Sequence, residues 1–187
     1  AAAQMEAKWA VQLTPEERNW VWGVVGKQSA LKLQDAAVQH FAKVTRDKDL
    51  NDEMLGWKAR AALRLGNWRM VAGAIEAMSE ESRQEPTWTY WLARARLALA
   101  RGDADRTAAQ QLLQGIAGAG GFYEKLAQEE LGRPIVTPPA PAPLTATERD
   151  WARSHAGLRR ALQAIALGLR AEGVREWNYW TNLHQSG

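Results

Sequence analysis

Residues 86–102 read P-T-W-T-Y-W-L-A-R-A-R-L-A-L-A-R-G, and this stretch decides the fold. Pro86 suits a first helical position, because its φ is already helical and its missing N–H would go unpaired there in any case. Trp88, Trp91, Leu92, Ala95, Ala98 and Leu99 recur at helical spacing and predict an apolar stripe along one face. Gly102 is expected to supply a left-handed stop, with Asp103 capping the helix that follows. A second stripe, Ala109, Leu112, Leu113 and Ile116, comes at once. Two helices joined by so short a link lie antiparallel and bury their stripes together.

The hairpin is repeated. Trp57-Lys58-Ala59-Arg60-Ala61 matches Trp91-Leu92-Ala93-Arg94-Ala95 at about the spacing of a tetratricopeptide repeat. Leu63-Arg64-Leu65-Gly66-Asn67 makes the turn, and Trp68, Val71, Ala72, Ile75 and Met78 form the second stripe. A weaker copy holds Trp22, Ala30-Leu31-Lys32-Leu33, Ala37, Val38 and Phe41. A hairpin of this kind is apolar on both sides, so stacking is its stable solution. The fold expected is all-α: a right-handed α-solenoid of tetratricopeptide-like hairpins, then a small helical module.

Around this frame, helices are predicted at about residues 16–29, 35–45, 52–65, 67–78, 86–101, 103–117 and 121–131. Another is expected from the N-terminus to about Leu13, carrying Met5, Trp9 and Leu13. Thr14-Pro15-Glu16-Glu17 has the pattern of a capping box. Gly118 to Gly121 follows a helix and lacks the Lys-Ser/Thr pair of a phosphate loop, which makes it an inter-helix corner. Residues 134–146 carry Pro134, Pro138, Pro139, Pro141 and Pro143 and read as a semi-rigid strap. Helical signals resume at Thr145-Ala146-Thr147-Glu148, a second capping-box pattern. Leu158, Leu162, Ile165, Ala166 and Leu169 form one stripe there, and Val174, Trp177, Trp180 and Leu183 another. The tail is too short for a core of its own and is expected to pack on another body. The division expected is 1–133 solenoid, 134–146 strap and 147–187 small module.

Composition excludes several chemistries. The 187 residues contain no cysteine, which removes disulfides, thiolate catalysis and thiolate metal sites. His40, His155 and His184 stand in separate segments, with no metal-ligand spacing between them. No cofactor is implied. The carboxylate pairs Glu80-Glu81, Glu129-Glu130 and Glu172/Glu176 sit on solvated helix faces, away from the desolvated cleft that glycosidase chemistry needs. A net charge of +3 with basic residues scattered along helices argues against nucleic acid as a partner. No apolar run reaches the length of a membrane span. The start at Ala1-Ala2-Ala3-Gln4 shows no export signal. Ten tryptophans stand against two phenylalanines. Most are expected between hairpins, although indoles also stack on sugar rings.

Arg60 and Arg94 each stand three residues after a repeat tryptophan. Either each lays its stem on that indole and bonds a neighbouring helix end, or they form a row of cations for the carboxylates of a ligand. With Trp88 and Tyr90 they make up the candidate ligand-binding set. No catalytic residue is assigned.

W-K-A-R-A-A-L-R-L-G-N-W, E-P-T-W-T-Y-W-L-A-R-A-R and G-F-Y-E-K-L-A-Q-E-E-L-G-R-P, in that order, resemble the superhelical region of soluble lytic murein transglycosylases. The likeness runs from about Trp20 to Trp180, and the last block is its most specific part. It implies a periplasmic enzyme that cleaves peptidoglycan glycan strands without hydrolysis, leaving 1,6-anhydromuramic ends. It further implies a long α-superhelix (the U-type domain), a small helical linker (L-type) domain after a proline-containing strap, and a lysozyme-like catalytic domain. That domain's E-S motif followed by a G-L-M-Q block does not occur here. The resemblance therefore implies the superhelical and linker portion of such an enzyme, or a descendant of one, without the catalytic module. The partners implied are peptidoglycan strands, that module and other cell-wall enzymes. A tetratricopeptide-like adaptor for a protein or peptide is the other reading open at this point.

Overall fold

A computed structural model describes residues 12–118, 120–135 and 140–183. Among them are eleven α-helices, one short 3-10 turn and no strand. The helices are α1 (Pro15–Leu31), α2 (Ala36–Phe41), α3 (Asp52–Arg64), α4 (Trp68–Ala77), α5 (Glu80–Gln84) and α6 (Pro86–Leu99). They continue with α7 (Asp103–Ile116), α8 (Phe122–Glu130), α9 (Ala146–Ser154), α10 (Ala156–Ala166) and α11 (Arg170–Leu183). Of the helix expected to reach about Leu13, Met5 and Trp9 lie outside the described residues, as do His184, Pro138 and Pro139, while Leu13 itself sits in a bend ahead of α1 rather than in a helix. The chain divides into two compact units, residues 1–138 and 139–187.

In the first unit, α1 pairs with α2, α3 with α4, and α6 with α7. Neighbouring hairpins meet through α1 with α3 and α4 with α6, and α8 packs on both α6 and α7. One cluster around Phe41, Leu55, Val71 and Ile75 runs from α1 to α6 and also takes in Trp22, Trp88 and Leu92. A second gathers Tyr90, Ala93, Leu113 and Ala127 between α6, α7 and α8. Helix α6 is thus buried on two sides, as the middle element of a stack must be. This corrects the single stripe read from the sequence: Ala98 and Leu99 are exposed, while Tyr90 and Ala93 are buried.

The local start signals work as chemistry. Thr14 Oγ1 accepts from the Glu17 N–H, and the Glu17 carboxylate accepts from the Thr14 N–H at 2.8 Å, closing the capping box. Asn51 and Asn67 each cap their helix by accepting from Met54 N–H and Met70 N–H. The turn between α3 and α4 is built on Gly66 at φ +65°. Gly66 N–H bonds Leu63 O and Asn67 N–H bonds Ala62 O, the paired bonds of a left-handed helix end. Leu33 occupies the matching place between α1 and α2, at φ +56°, with Leu33 N–H on Ala30 O and Gln34 N–H on Ser29 O.

Gly102 departs from expectation. It is extended, φ −165°, and serves as the N-cap of α7, with Asp103 inside the helix. Helix α6 stops earlier because the Arg101 N–H turns aside to the Asp105 carboxylate at 2.9 Å. Helix α2 also ends before its expected limit, at Phe41. Asn19 Oδ1 takes the Thr45 N–H at 2.9 Å and draws the chain off the helical path. Helix α5, five polar residues long, had no apolar stripe to announce it. Asp52 holds its start, accepting from Ser79 N–H at 2.9 Å and from the Ser82 hydroxyl at 2.8 Å.

In the second unit, Thr145 and Glu148 close the expected capping box at the start of α9. Helices α10 and α11 pack against each other as a hairpin. A Cβ on Gly173 would stand 2.5 Å from Ile165 Cγ1 and 2.7 Å from Ala161 O, and one on Gly157 would enter the Trp180 indole. The two helices cross closely at these glycines. The buried face of α10 is therefore Gly157, Leu158 and Ala161, while Leu162 and Leu169, expected inside, are exposed. On α11, Val174, Trp177 and Leu183 are exposed as well. Glu176 accepts from Arg160 Nη2 at 2.7 Å and from Trp180 Nε1 at 3.0 Å. These bonds hold its carboxyl below the usual range.

Candidate functional site

Helix α3 is set in place by its Asn51 cap and by Lys58, a buried cation whose Nζ reaches Asp47 Oδ1 at 2.5 Å. The helical period then brings Gly56, Trp57, Arg60 and Arg64 to one side. Trp88, in the first turn of α6 behind Pro86, comes from the next hairpin. The Arg60 guanidinium lies 5.3 Å from the Trp57 ring centre and 4.8 Å from that of Trp88. Gly56 makes this possible: a Cβ there would stand 3.0 Å from Arg60 Nη1 and 3.1 Å from Trp88 Cζ2. Trp88 is only 8% exposed and serves as a floor, whereas Arg60 is exposed. No carboxylate among the described residues pairs with Arg60, which lies over the two indoles instead.

Beside Arg60 opens a cavity of about 160 Å³, walled by Ala30, Leu33, Val38, Trp57, Ala61 and Leu65. Its polar rim is Arg60, Arg64, Gln34 and Asp35. Arg64 Nη2 and Asp35 Oδ1 face each other across 3.6 Å, both well exposed, so their attraction is weakened by water. Two cations and one carboxylate give the rim a net charge of +1.

The equivalent position one repeat later is built differently. Arg94 is bonded to the Glu130 carboxylate of α8 and donates from Nη1 to the Tyr90 hydroxyl at 3.1 Å. The Tyr90 hydroxyl in turn donates to Glu130 Oε1 at 3.3 Å. Tyr90 is 3% exposed, and burial pushes its phenol pKa up. Trp91 Nε1 donates to the Tyr123 hydroxyl at 3.4 Å, and the Tyr90, Trp91 and Tyr123 rings meet edge-on or tilted. Of the four residues read as ligand-binding, Arg60 and Trp88 form one cluster, and Arg94 and Tyr90 form another. The first presents a cation that no carboxylate among the described residues neutralises. The second neutralises its cation internally and ties α8 to α6.

Sequence reading missed the polar hub at Asn19. Its amide donates to Asp49 Oδ2 at 2.7 Å, while its Oδ1 receives Thr45. Hydrogen bonds from Arg46 and Asn19 hold the Asp49 carboxyl low. An asparagine inside an apolar helix face was the available signal. A shallow groove of about 420 Å³ lies elsewhere, between α5, α6 and α7, lined by Arg83, Gln84, Thr89 and Gln111 among others. Among the described residues no three His, Asp or Glu side chains converge to hold a metal, and no helix is long and apolar enough to cross a membrane.

No family model matches this sequence, and no curated protein matches it. A solved structure does: the X-ray structure of an inactive mutant of the lytic transglycosylase Slt from Pseudomonas aeruginosa. The match has a TM-score of 0.64 and 22% identity, and it covers 97% of this chain. The chain spans 29% of the length of that structure's chain. At this identity the likeness is one of fold: this arrangement of helices occurs within a lytic transglycosylase.

Proposed function

We propose that this chain is a superhelical and linker portion of a lytic-transglycosylase-type cell-wall enzyme, located in the periplasm. It scaffolds a catalytic module and holds peptidoglycan strands. The observation that carries this reading is the extent of the likeness to the Pseudomonas enzyme, 97% of the chain in one alignment. That span takes in the stacked hairpins, the proline-rich stretch and the small helical module in their order along the sequence. A likeness limited to repeats would support a generic adaptor equally well. The quoted blocks from Trp57 to Pro134 support the same reading from sequence.

In this role the solenoid does no bond-breaking. It contributes a surface on which a long polymer is retained, so that a weak contact acts through effective concentration near an attached active site. Arg60 is a cation available for that contact, with Trp88 beneath it. Arg94 and Tyr90 tie α8 to α6. The test is co-sedimentation of the 187-residue chain with purified peptidoglycan sacculi. Salt-sensitive retention, reduced by Arg60→Gln, supports the proposal. A chain that stays wholly in solution, or that captures an unrelated peptide instead, supports the adaptor.

A further inference from the structure

We infer that the cavity beside Arg60 is a binding site for the terminal carboxylate of a peptide that ends in a small apolar residue. The inference deepens the proposed function by naming the part of a peptidoglycan strand that would be held, a peptide end, and in that sense rests on it. Three features of the site combine.

The first is a cation with no carboxylate partner among the described residues. Arg60 lies over two indole rings, 5.3 and 4.8 Å from their centres. A ring face takes up none of the guanidinium's five N–H donors, so they stay available for an acceptor, and a carboxylate is the acceptor that their fork suits. The second is the wall. Ala30, Val38, Trp57 and Ala61 offer an apolar recess of about 160 Å³, close to the size of a dry cavity that accepts one benzene. A methyl or short branched side chain fits, and an unattached sugar ring with its hydroxyls would leave polar groups unbonded. The third is charge. Arg60, Arg64 and Asp35 sum to +1, which favours a monoanion over a phosphate dianion or a neutral group. Arg64 and Asp35, 3.6 Å apart and exposed, can part to admit a backbone N–H of the peptide to Asp35.

The site is made by the repeat and its neighbour together. Arg60 comes from α3 and its floor, Trp88, from α6, with Gly56 leaving the space between them. At Arg94 the same repeat position has a resident carboxylate, Glu130. Glu130 shows in the same protein what an arginine at this position takes when an anion is within reach.

The experiment is a titration of N-acetyl-Ala-Ala, as the free acid and as the C-terminal amide, followed by the indole N–H resonances of Trp57 and Trp88. Both the L,L and D,D forms are used. The expected result is saturable movement of these two signals by the acid, with a dissociation constant of about 1 mM. The amide should bind at least tenfold more weakly, and so should the acid to Arg60→Gln. Arg60→Lys should fall between, since it keeps charge and loses the fork. Equal response to acid and amide overturns the inference, as does no movement at 20-fold the expected constant (about 20 mM). Because the amide comparison uses the unaltered protein, it does not depend on any variant folding. Preference for the D,D acid agrees with the peptidoglycan reading. Preference for the L,L acid keeps the carboxylate site and counts against that reading.

Discussion

The guanidinium of Arg60 stands 4.8 Å from the ring centre of Trp88, a residue of the following hairpin. One side chain of α3 is thereby positioned by the stacking of repeats, and its exposed end meets no counter-charge among the described residues. The relation separates two roles that are adjacent in space, packing by the indole and presentation by the cation.

Substitutions should separate them too. Trp88→Ala removes a nearly buried indole and should cost about 3–5 kcal/mol. Trp57, only partly buried, should cost about half as much or less. Arg60→Gln should change stability by about 0.5 kcal/mol at most, as surface substitutions usually do. Urea unfolding of the three variants is the check. Equal losses at Trp88 and Arg60 would mean that the cation is part of the packing.

The two helix turns at Leu33 and Gly66 share a left-handed backbone, and only one has the residue that suits it. Leu33 is 65% exposed, so it gains little from packing to offset the cost of its Cβ. Leu33→Gly should therefore stabilise by about 0.5–1 kcal/mol, and Gly66→Ala should destabilise by about 1 kcal/mol. Thermal melts of both variants test the pair, and a loss at Leu33→Gly would contradict the strain.

Much of this frame was legible in the sequence. Pro86, the Thr14 and Thr145 capping boxes and Gly66 punctuate the chain by local chemistry, which needs no tertiary information. The second buried face of α6 was not legible, because Ala93 is small and Tyr90 carries a polar end that an apolar stripe does not count. Nor was the difference between Arg60 and Arg94. It depends on Glu130, 36 residues away along the chain, being brought alongside by α8. The early end of α2 likewise depends on Asn19, a distant acceptor. Long-range pairing decided what the repeat pattern left open.

Asp52 links the start of α3 to the start of α5. Burial raises its carboxyl pKa, but the bonds from Ser79 and Ser82 outweigh this, and the net shift is downward. A carboxyl lowered by folding stabilises the fold above its unfolded pKa, about 4, and that contribution is lost as pH falls through the folded value. Asp52→Asn should cost about 1 kcal/mol near neutrality, since the group is partly solvated. The variant should also show a flatter loss of stability below pH 4 than the parent. Denaturant midpoints at pH 3 and pH 6 decide it; parallel curves for the two proteins would remove Asp52 from the account.

The close crossing of α10 and α11 is sensitive at Gly173. Because one atom a new Cβ would meet is the Ala161 carbonyl oxygen, 2.7 Å away, side-chain adjustment cannot make room. Gly173→Ala should cost about 1–3 kcal/mol and lower hydrogen-exchange protection across α10 and α11. Unchanged protection there would place the helices further apart than described.

The proposed retention of peptidoglycan strands by an exposed cation is decided by titrating purified glycan strands bearing peptides into the labelled 187-residue chain at low and high salt. The expected dissociation constant is no tighter than about 0.1 mM, because a few exposed charge-assisted contacts are modest in water. Binding should weaken as ionic strength rises, and Arg60→Gln should weaken it where Arg94→Gln acts chiefly on stability. Undetectable binding at millimolar strands, or binding indifferent to both salt and Arg60, would contradict the claim and leave the solenoid as scaffold alone.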